Sequence, residues 1–426
     1  MTVPVILKIV LSLTLILVLN KIVRNLAASV AAGALLIAVW SGQTLESALG
    51  IAGDRILSFD NLALMLLISM VISLSSQMSG TGMMKRLVVS LKERVSQKTA
   101  LAALPAVIGL LPMPGGALFS APLVDDCDDE KLLSPMEKSR INYWFRHVWE
   151  FTWPLYPGVI LAADIAGIEV WQIFLTGLPV SAAAALAGYL FYLLPLKHAG
   201  GTVRNAAPRN ANPLLPLLAP ILIVILVYIF LLLFIPAIGI FSRYLPMIIG
   251  LSCSMIYLQI RTPLSGSDWR RIVFSPRTLQ MVLIVLAVRI YGAYIEAPLP
   301  DGSRMIELLR LEMISAGVPV RALIILIPFI SGITTGVSVG FVGASFPIVF
   351  SLLGPDPTLA LTLSTLILAY PFGFMGTMLS PVHVCLIVTN EHFGTSLVPS
   401  LASVVKPALL VMAASVAVSV IIPLLL

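Results

Sequence analysis

The chain has 426 residues, of which 59% are hydrophobic and only 11% charged, and its mean hydropathy is +1.03. Soluble domains do not carry that balance, so the length is better divided by the ~20 apolar residues that cross a bilayer than by the size of a soluble domain. The formal net charge of +6 comes from basic residues scattered through short loops, which argues against nucleic acid as a partner and for a lipid bilayer as the surroundings.

The first apolar run, Val3 to Leu19, has only Lys8 before its centre and is followed by Lys21 and Arg24, without a small-residue cleavage pattern. It is expected to stay as a first span with the N-terminus outside. Taking it as 4–20, further runs near 23–41, 60–80, 141–166, 171–195, 214–240, 245–260, 278–297, 358–389 and 402–425 bring the spans to about ten. Two apolar segments do not fit as spans. Segment 98–124 contains PAVIGLLPMPGGALFSAP from Pro105 to Pro122, and 320–354 contains PFISGITTGVSVGFVGASFP from Pro328 to Pro347. Interrupted helices in lipid leave backbone groups unpaired unless they are buried in protein or line a wet cavity, so both are expected to be re-entrant hairpins. The fold class expected is an all-α polytopic membrane protein with about ten transmembrane helices and two such hairpins.

Loop charge supports this count. Lys85, Arg86, Lys92, Arg94 and Lys98, then Lys197, Arg204 and Arg209, then Arg261, Arg270, Arg271 and Arg277 mark cytoplasmic loops. The alternate loops carry Glu46 and Asp54, Asp164 and Glu169, and Asp301, Glu307 and Glu312, and fall outside, as do both termini. The polar stretch 196–213 is expected to be a cytoplasmic linker between residues 1–195 and 214–426. Pro105 aligns with Pro328, Gly109 with Gly332 and Pro157 with Pro381, and each hairpin precedes a broken helix, 132–166 and 357–389. Five crossings per half make the two halves an inverted repeat, and paired interruptions of this kind point to a transporter's binding site.

The chemistry expected there is that of unwound helix ends: free N–H groups suit an anion, exposed carbonyls a cation. Candidate substrate contacts in the first half are Pro114, Gly115, Gly116, Ser120 and, at the break Trp153-Pro154-Leu155-Tyr156-Pro157-Gly158, Trp153. In the second half they are Thr334, Thr335, Gly336, Ser338 and, in the break spanning Pro371 to Pro381, Thr377. Gly332, Gly336 and Gly340 also form small-xxx-small steps suited to helix packing. His147, Glu150 and His383 are candidate coupling-ion residues, since histidine changes charge near neutral pH. Arg146 and Glu150, as i,i+4 neighbours on a helix, are expected to pair; Arg289 and Glu296, seven apart on one face, likewise, with Arg146, Arg289 and Glu296 either structural or substrate-facing. The run Asp125, Asp126, Asp128 and Asp129 is expected to be a solvated loop. Cys127, Cys253 and Cys385 show no CxxC spacing, so ordinary packing or loop thiols are expected, with no disulfide framework and no metal site.

At Met113-Pro114-Gly115-Gly116-Ala117-Leu118-Phe119-Ser120-Ala121-Pro122 and the following Asp125-Asp126 the chain resembles the ion-transporter superfamily, which includes gluconate, citrate and dicarboxylate permeases and some sodium/proton and arsenite carriers. Through layout more than residue identity, it is similar to a ten-span branch of that group over roughly residues 60–425. The resemblance implies a scaffold domain, a mobile transport domain carrying both hairpins and both broken helices, and a homodimer working by an elevator-like movement. The sodium-dependent dicarboxylate members carry Ser-Asn-Thr at both hairpin tips. Here Pro112 to Gly116 and Thr334 to Ser338 stand instead, so neither sodium coupling nor dicarboxylate specificity carries over. The function expected is secondary active transport of a small organic anion across the cytoplasmic membrane. It needs no cofactor beyond a proton or sodium as coupling ion. A proton/cation antiporter is the near alternative. An enzyme is not expected, since no GxxxxGK[ST] or HExxH occurs, and a passive channel is the remaining class.

Overall fold

The structure is a computed structural model that describes residues 4–426 apart from 93, 112–115, 129–130, 197–213, 316 and 318. The first half runs α1 (Val5–Val23), α2 (Leu26–Trp40), α3 (Leu45–Leu57), α4 (Phe59–Gly80), α5 (Met83–Lys92), α6 (Gln97–Gly109), α7 (Ala117–Asp125), α8 (Pro135–Phe145), α9 (Pro157–Ala166) and α10 (Val170–Gly188), which ends in a π turn at Tyr189–Leu193. The second runs α11 (Leu214–Phe234), α12 (Ala237–Phe241), α13 (Leu245–Arg261), α14 (Gly266–Val273), α15 (Pro276–Glu296), α16 (Met305–Ser315), α17 (Val320–Thr335), α18 (Ser338–Ser351), α19 (Leu359–Met378), α20 (Val384–Phe393) and α21 (Leu397–Leu425). No strand forms among the described residues, only the isolated bridge between Pro298 and Arg304.

Seven segments among the described residues are long and apolar enough to cross a membrane: α1, α4, α10 with its π turn, α11, the run Gly266–Glu296, α19 and α21. The chain is an all-α, multi-pass membrane protein. Its remaining apolar helices are shorter, including α2 and α13, which were expected as spans. Four stretches expected as loops form helices instead. In α3, Thr44 caps the start while Leu45, Leu49 and Leu57 stay exposed beside Glu46 and Asp54, the pattern of a helix lying in an interface. The Ser265–Asp268 capping box starts α14 in the same economical way.

The order of elements is the same in the two halves. Setting α12 aside, α1 through α10 correspond in turn to α11 and α13 through α21. Packing follows the same exchange: α6 lies on α8 and α17 on α19, α7 on α20 and α18 on α9, α5 on α11 and α16 on α1. Each hairpin therefore meets both broken helices, its first arm touching the one in its own half and its second arm touching the far end of the other.

The interruptions differ from those expected. The first begins at Arg146, where α8 ends, and the chain turns through 146–156 before Pro157 opens α9. Arg146 and Glu150 thus lie inside the break, off any helix, and form no ion pair with each other. The second is narrower: α19 continues through Pro371 and Thr377 to Met378, and only Leu379–His383 is non-helical. Proline at 371 withholds the N–H that the Ile367 carbonyl would receive, and Ser415 Oγ of α21 donates to that carbonyl instead. With the orphaned acceptor satisfied, the helix survives its proline.

Candidate functional site

The last carbonyls of a helix have no partner within it, and α6 has three aromatic side chains to answer them. Trp149 Nε1 donates to the Ala106 carbonyl at 3.1 Å, Trp153 Nε1 to Leu110 at 2.8 Å, and Tyr156 OH to Gly109. Rings with one polar tip fit such a wall, apolar outside and hydrogen-bonded within. Gly109 has no room for a side chain, because a Cβ there would overlap the Arg146 carbonyl. In the other half Ser380 Oγ donates to Ile333 at 2.5 Å and His383 Nδ1 to Gly336 at 2.7 Å, while a Cβ at Gly332 would overlap the Gly373 carbonyl. Gly109 and Gly332, aligned by sequence, thus both let a hairpin arm lie backbone to backbone on its broken helix. Of the three glycines in small-xxx-small steps, Gly332 packs, whereas Gly336 ends α17 in the left-handed conformation at φ 67°.

Where these elements meet, charged and protonatable groups are closed off from solvent. Arg146 is 5% exposed, His147 3% and His383 7%. His147 Nδ1 donates to the Tyr143 carbonyl at 2.7 Å, and the two Nε2 atoms of His147 and His383 face each other at 3.3 Å. Arg146 Nη1 lies 3.3 Å from His147 Nε2 and 3.3 Å from Cys385 Sγ. Its guanidinium rests on Gly116, where a Cβ would overlap it. The Tyr143 ring meets both imidazoles edge to face, and its hydroxyl donates to the Met378 carbonyl. Around the rim, Asn142 Nδ2 donates to Thr389 Oγ1 and Ser139 Oγ to Asn390 Oδ1, tying α8 to α20. Three oxygens nearby in the fold are buried without a hydrogen-bond partner among the described residues: Glu150 Oε2, Asn142 Oδ1 and, one turn into α7 from Gly116, Ser120 Oγ.

Of the residues expected in a site, Gly116, Arg146, His147, His383 and Gly336 are brought together. Pro114 and Gly115 lie outside the described residues. Ser338, at the start of α18, lies against Gly158 beside the Tyr370 hydroxyl. Thr335 and Thr377 are buried but bond to their own backbone, at Ser331 and Gly373, and half-exposed Thr334 bonds to Ile330. Trp153 is occupied as a wall donor.

Arg289 and Glu296 do not pair. Arg289 Nη1 reaches Asp164 Oδ2 at 2.8 Å, and Glu296 reaches Arg55 at 3.1 Å near the surface. Asp164, expected in an outer loop, is buried in α9, where Arg243 also meets it at 2.6 Å and Tyr244 OH donates to it. The acidic run is not simply solvated either. Asp128 is buried, accepts the N–H groups of Leu132 and Leu133, and shares Lys138 with Asp125.

His147, His383 and Cys385 place ligand atoms within 4.8 Å of one another, the one grouping of metal-ligating type found among the described residues. The Arg146 guanidinium already faces two of those three atoms. A divalent ion beside that fixed positive charge, away from water, carries a large electrostatic cost, whereas an anion does not. Cys385, expected as an ordinary packing or loop thiol, lies against the Arg146 guanidinium. Its place two residues after His383, at the start of α20, is the signal that would have joined it to the site.

No curated protein matches the chain. Its sequence matches, over residues 6–422, the family described as Protein of unknown function (DUF401), and the chain belongs to that family.

Proposed function

We propose that the chain is a secondary transporter carrying a small organic anion across the cytoplasmic membrane, coupled to protons or sodium. The observation that carries this reading is the convergence of Arg146, His147 and His383 from both broken helices onto the glycine ends Gly116 and Gly336, closed from solvent. A guanidinium beside the amino end of α7 provides donors that an anion needs once it leaves water, and two adjacent imidazoles offer a place for a coupling proton. The matching element order and exchanged packing of the halves support an inverted repeat, with the basic loops and the linker on the cytoplasmic side and both termini outside. With the resemblance to the ion-transporter superfamily, they also support an elevator-like movement within a homodimer. No bond-making step and no organic cofactor belong to this reading.

A proton/cation antiporter is favoured by one observation only, the buried Glu150 carboxylate, whose Oε2 has no partner among the described residues. A thermal-shift screen of the purified protein against carboxylates, sugar acids, inorganic oxyanions and sodium separates the two. A ligand of the folded form raises stability by RT ln(1 + [L]/Kd), so true hits depend on concentration. The transport reading expects at least one anion to stabilise the protein and to accumulate in proteoliposomes against its gradient. Stabilisation by sodium alone, with anion-independent proton exchange, would replace it with the antiporter.

A further inference from the structure

The two imidazoles constrain each other's protons. A carbonyl oxygen only accepts, so His147 Nδ1 carries the hydrogen it gives to Tyr143, and His383 Nδ1 carries the one it gives to Gly336. Both Nε2 atoms of the neutral rings are then lone pairs, and they face each other at 3.3 Å. Two lone pairs at that distance repel; one added proton turns the contact into a charge-assisted hydrogen bond. His147 Nε2 also faces Arg146 Nη1, a donor, so His147 is the acceptor of the pair and His383 the seat of the proton.

We propose that His147 and His383 hold one proton between their Nε2 atoms, seated on His383, and that it is the proton this transporter couples to its anion. The coupling role rests on the transport reading above; the shared proton does not. With it, His383 is an imidazolium bonded at one end to His147 in the first break and at the other to Gly336, the end of the second hairpin's first arm. When the proton leaves for water on the side to which the site opens, His383 returns to a neutral ring and its hold on Gly336 weakens. Loading of the site and fastening of that hairpin are thereby one event. The charged and titratable groups around the pair are Tyr143 from α8, Arg146 and Glu150 from the first break, Cys385 from α20 and, beyond Glu150, Tyr156 and Tyr370. The described residues at the hairpin ends add only backbone and hydroxyl groups.

The test uses full-length protein with 15N-labelled imidazoles in nanodiscs. Of its four histidines, His147, His198, His383 and His392, one is expected to be doubly protonated at neutral pH and assigned to His383, with His147 a neutral Nδ1–H ring. His383→Gln should remove that proton and leave His147 neutral; His147→Gln should leave His383 neutral, so one variant suffices if the other does not fold. Two neutral rings in the wild type, or a His383 signal unaffected by His147→Gln, would overturn the shared proton. In a second arm, pyranine-loaded proteoliposomes receive succinate, gluconate or phosphate outside. Internal acidification by the wild type and its loss in His383→Gln support coupling. Equal acidification in the variant overturns it. A shared proton in the spectra with no acidification by the wild type would overturn the coupling role and count against the transport reading, leaving the pair itself standing.

Discussion

At Asp164 a carboxylate with no exposed surface receives Arg243 at 2.6 Å, Arg289 at 2.8 Å and the Tyr244 hydroxyl. Around Arg146, by contrast, Glu150 Oε2, Asn142 Oδ1 and Ser120 Oγ are buried with no hydrogen-bond partner among the described residues, and the Nε2 atoms of two imidazoles lie 3.3 Å apart. Both clusters keep charge away from water, but the carboxylate of the first is met by two arginines and a hydroxyl, while the second holds buried oxygens with no partner among the described residues. Burying a polar group without a partner lowers stability, so a protein keeps such groups where something else supplies the partner for part of its working cycle. The Asp164 node thus has the character of a structural joint between α9, the start of α13 and α15, while the Arg146 cluster fits the binding site proposed above.

Asp164→Ala should show the largest effect, because it leaves two arginines facing a buried gap. Losing one partner of a buried pair costs about 3–5 kcal/mol, to be seen as a marked fall in melting temperature or loss of monodisperse protein in detergent. If the variant melts like the wild type, the node is not the joint described here. Arg146→Gln should act on binding: removing one side of a buried charged contact costs about 2–5 kcal/mol, so the anion found by thermal shift should bind roughly 30-fold or more weakly. An unchanged titration would place the anion elsewhere. Ser415→Ala removes the donor that rescues the Ile367 carbonyl at Pro371, and leaving that acceptor unmet should cost about 1–3 kcal/mol in unfolding midpoint. Ser120→Ala sharpens the contrast from the other side. Deleting a hydroxyl that has no partner among the described residues should leave stability within about 0.5 kcal/mol or raise it, while anion affinity falls. A destabilised variant with full affinity would make Ser120 part of the packing and remove it from the site.

What could be read from residues alone was mostly local. Proline and glycine spacing marked both hairpins, and Gly109 and Gly332 fell into register because each occupies the same close backbone approach. His147 and His383 stood out because histidine is rare in apolar sequence. Contacts across the fold were another matter. Arg289 and Glu296 share a helical face seven residues apart, yet Asp164, 125 positions from Arg289 in the chain, holds the arginine. Nothing in α19 announces that Ser415 of another helix rescues the carbonyl freed by Pro371, so the break is narrower than the expected 371–381. The first break holds the expected residues 153–156 but begins earlier than its prolines suggest. Its prolines lie at 154 and 157, but the helix ends at Phe145, where the aromatic donors of the bend turn aside to meet the carbonyls of α6.

The most direct test of the central claim uses Cys385, which lies against the Arg146 guanidinium. In a Cys127→Ala, Cys253→Ala background, the alkylation rate of Cys385 by a small maleimide is measured with and without the stabilising anion. An anion seated at Arg146, His147 and His383 should slow the reaction in proportion to its occupancy. A rate that stays constant at saturating anion would contradict the account.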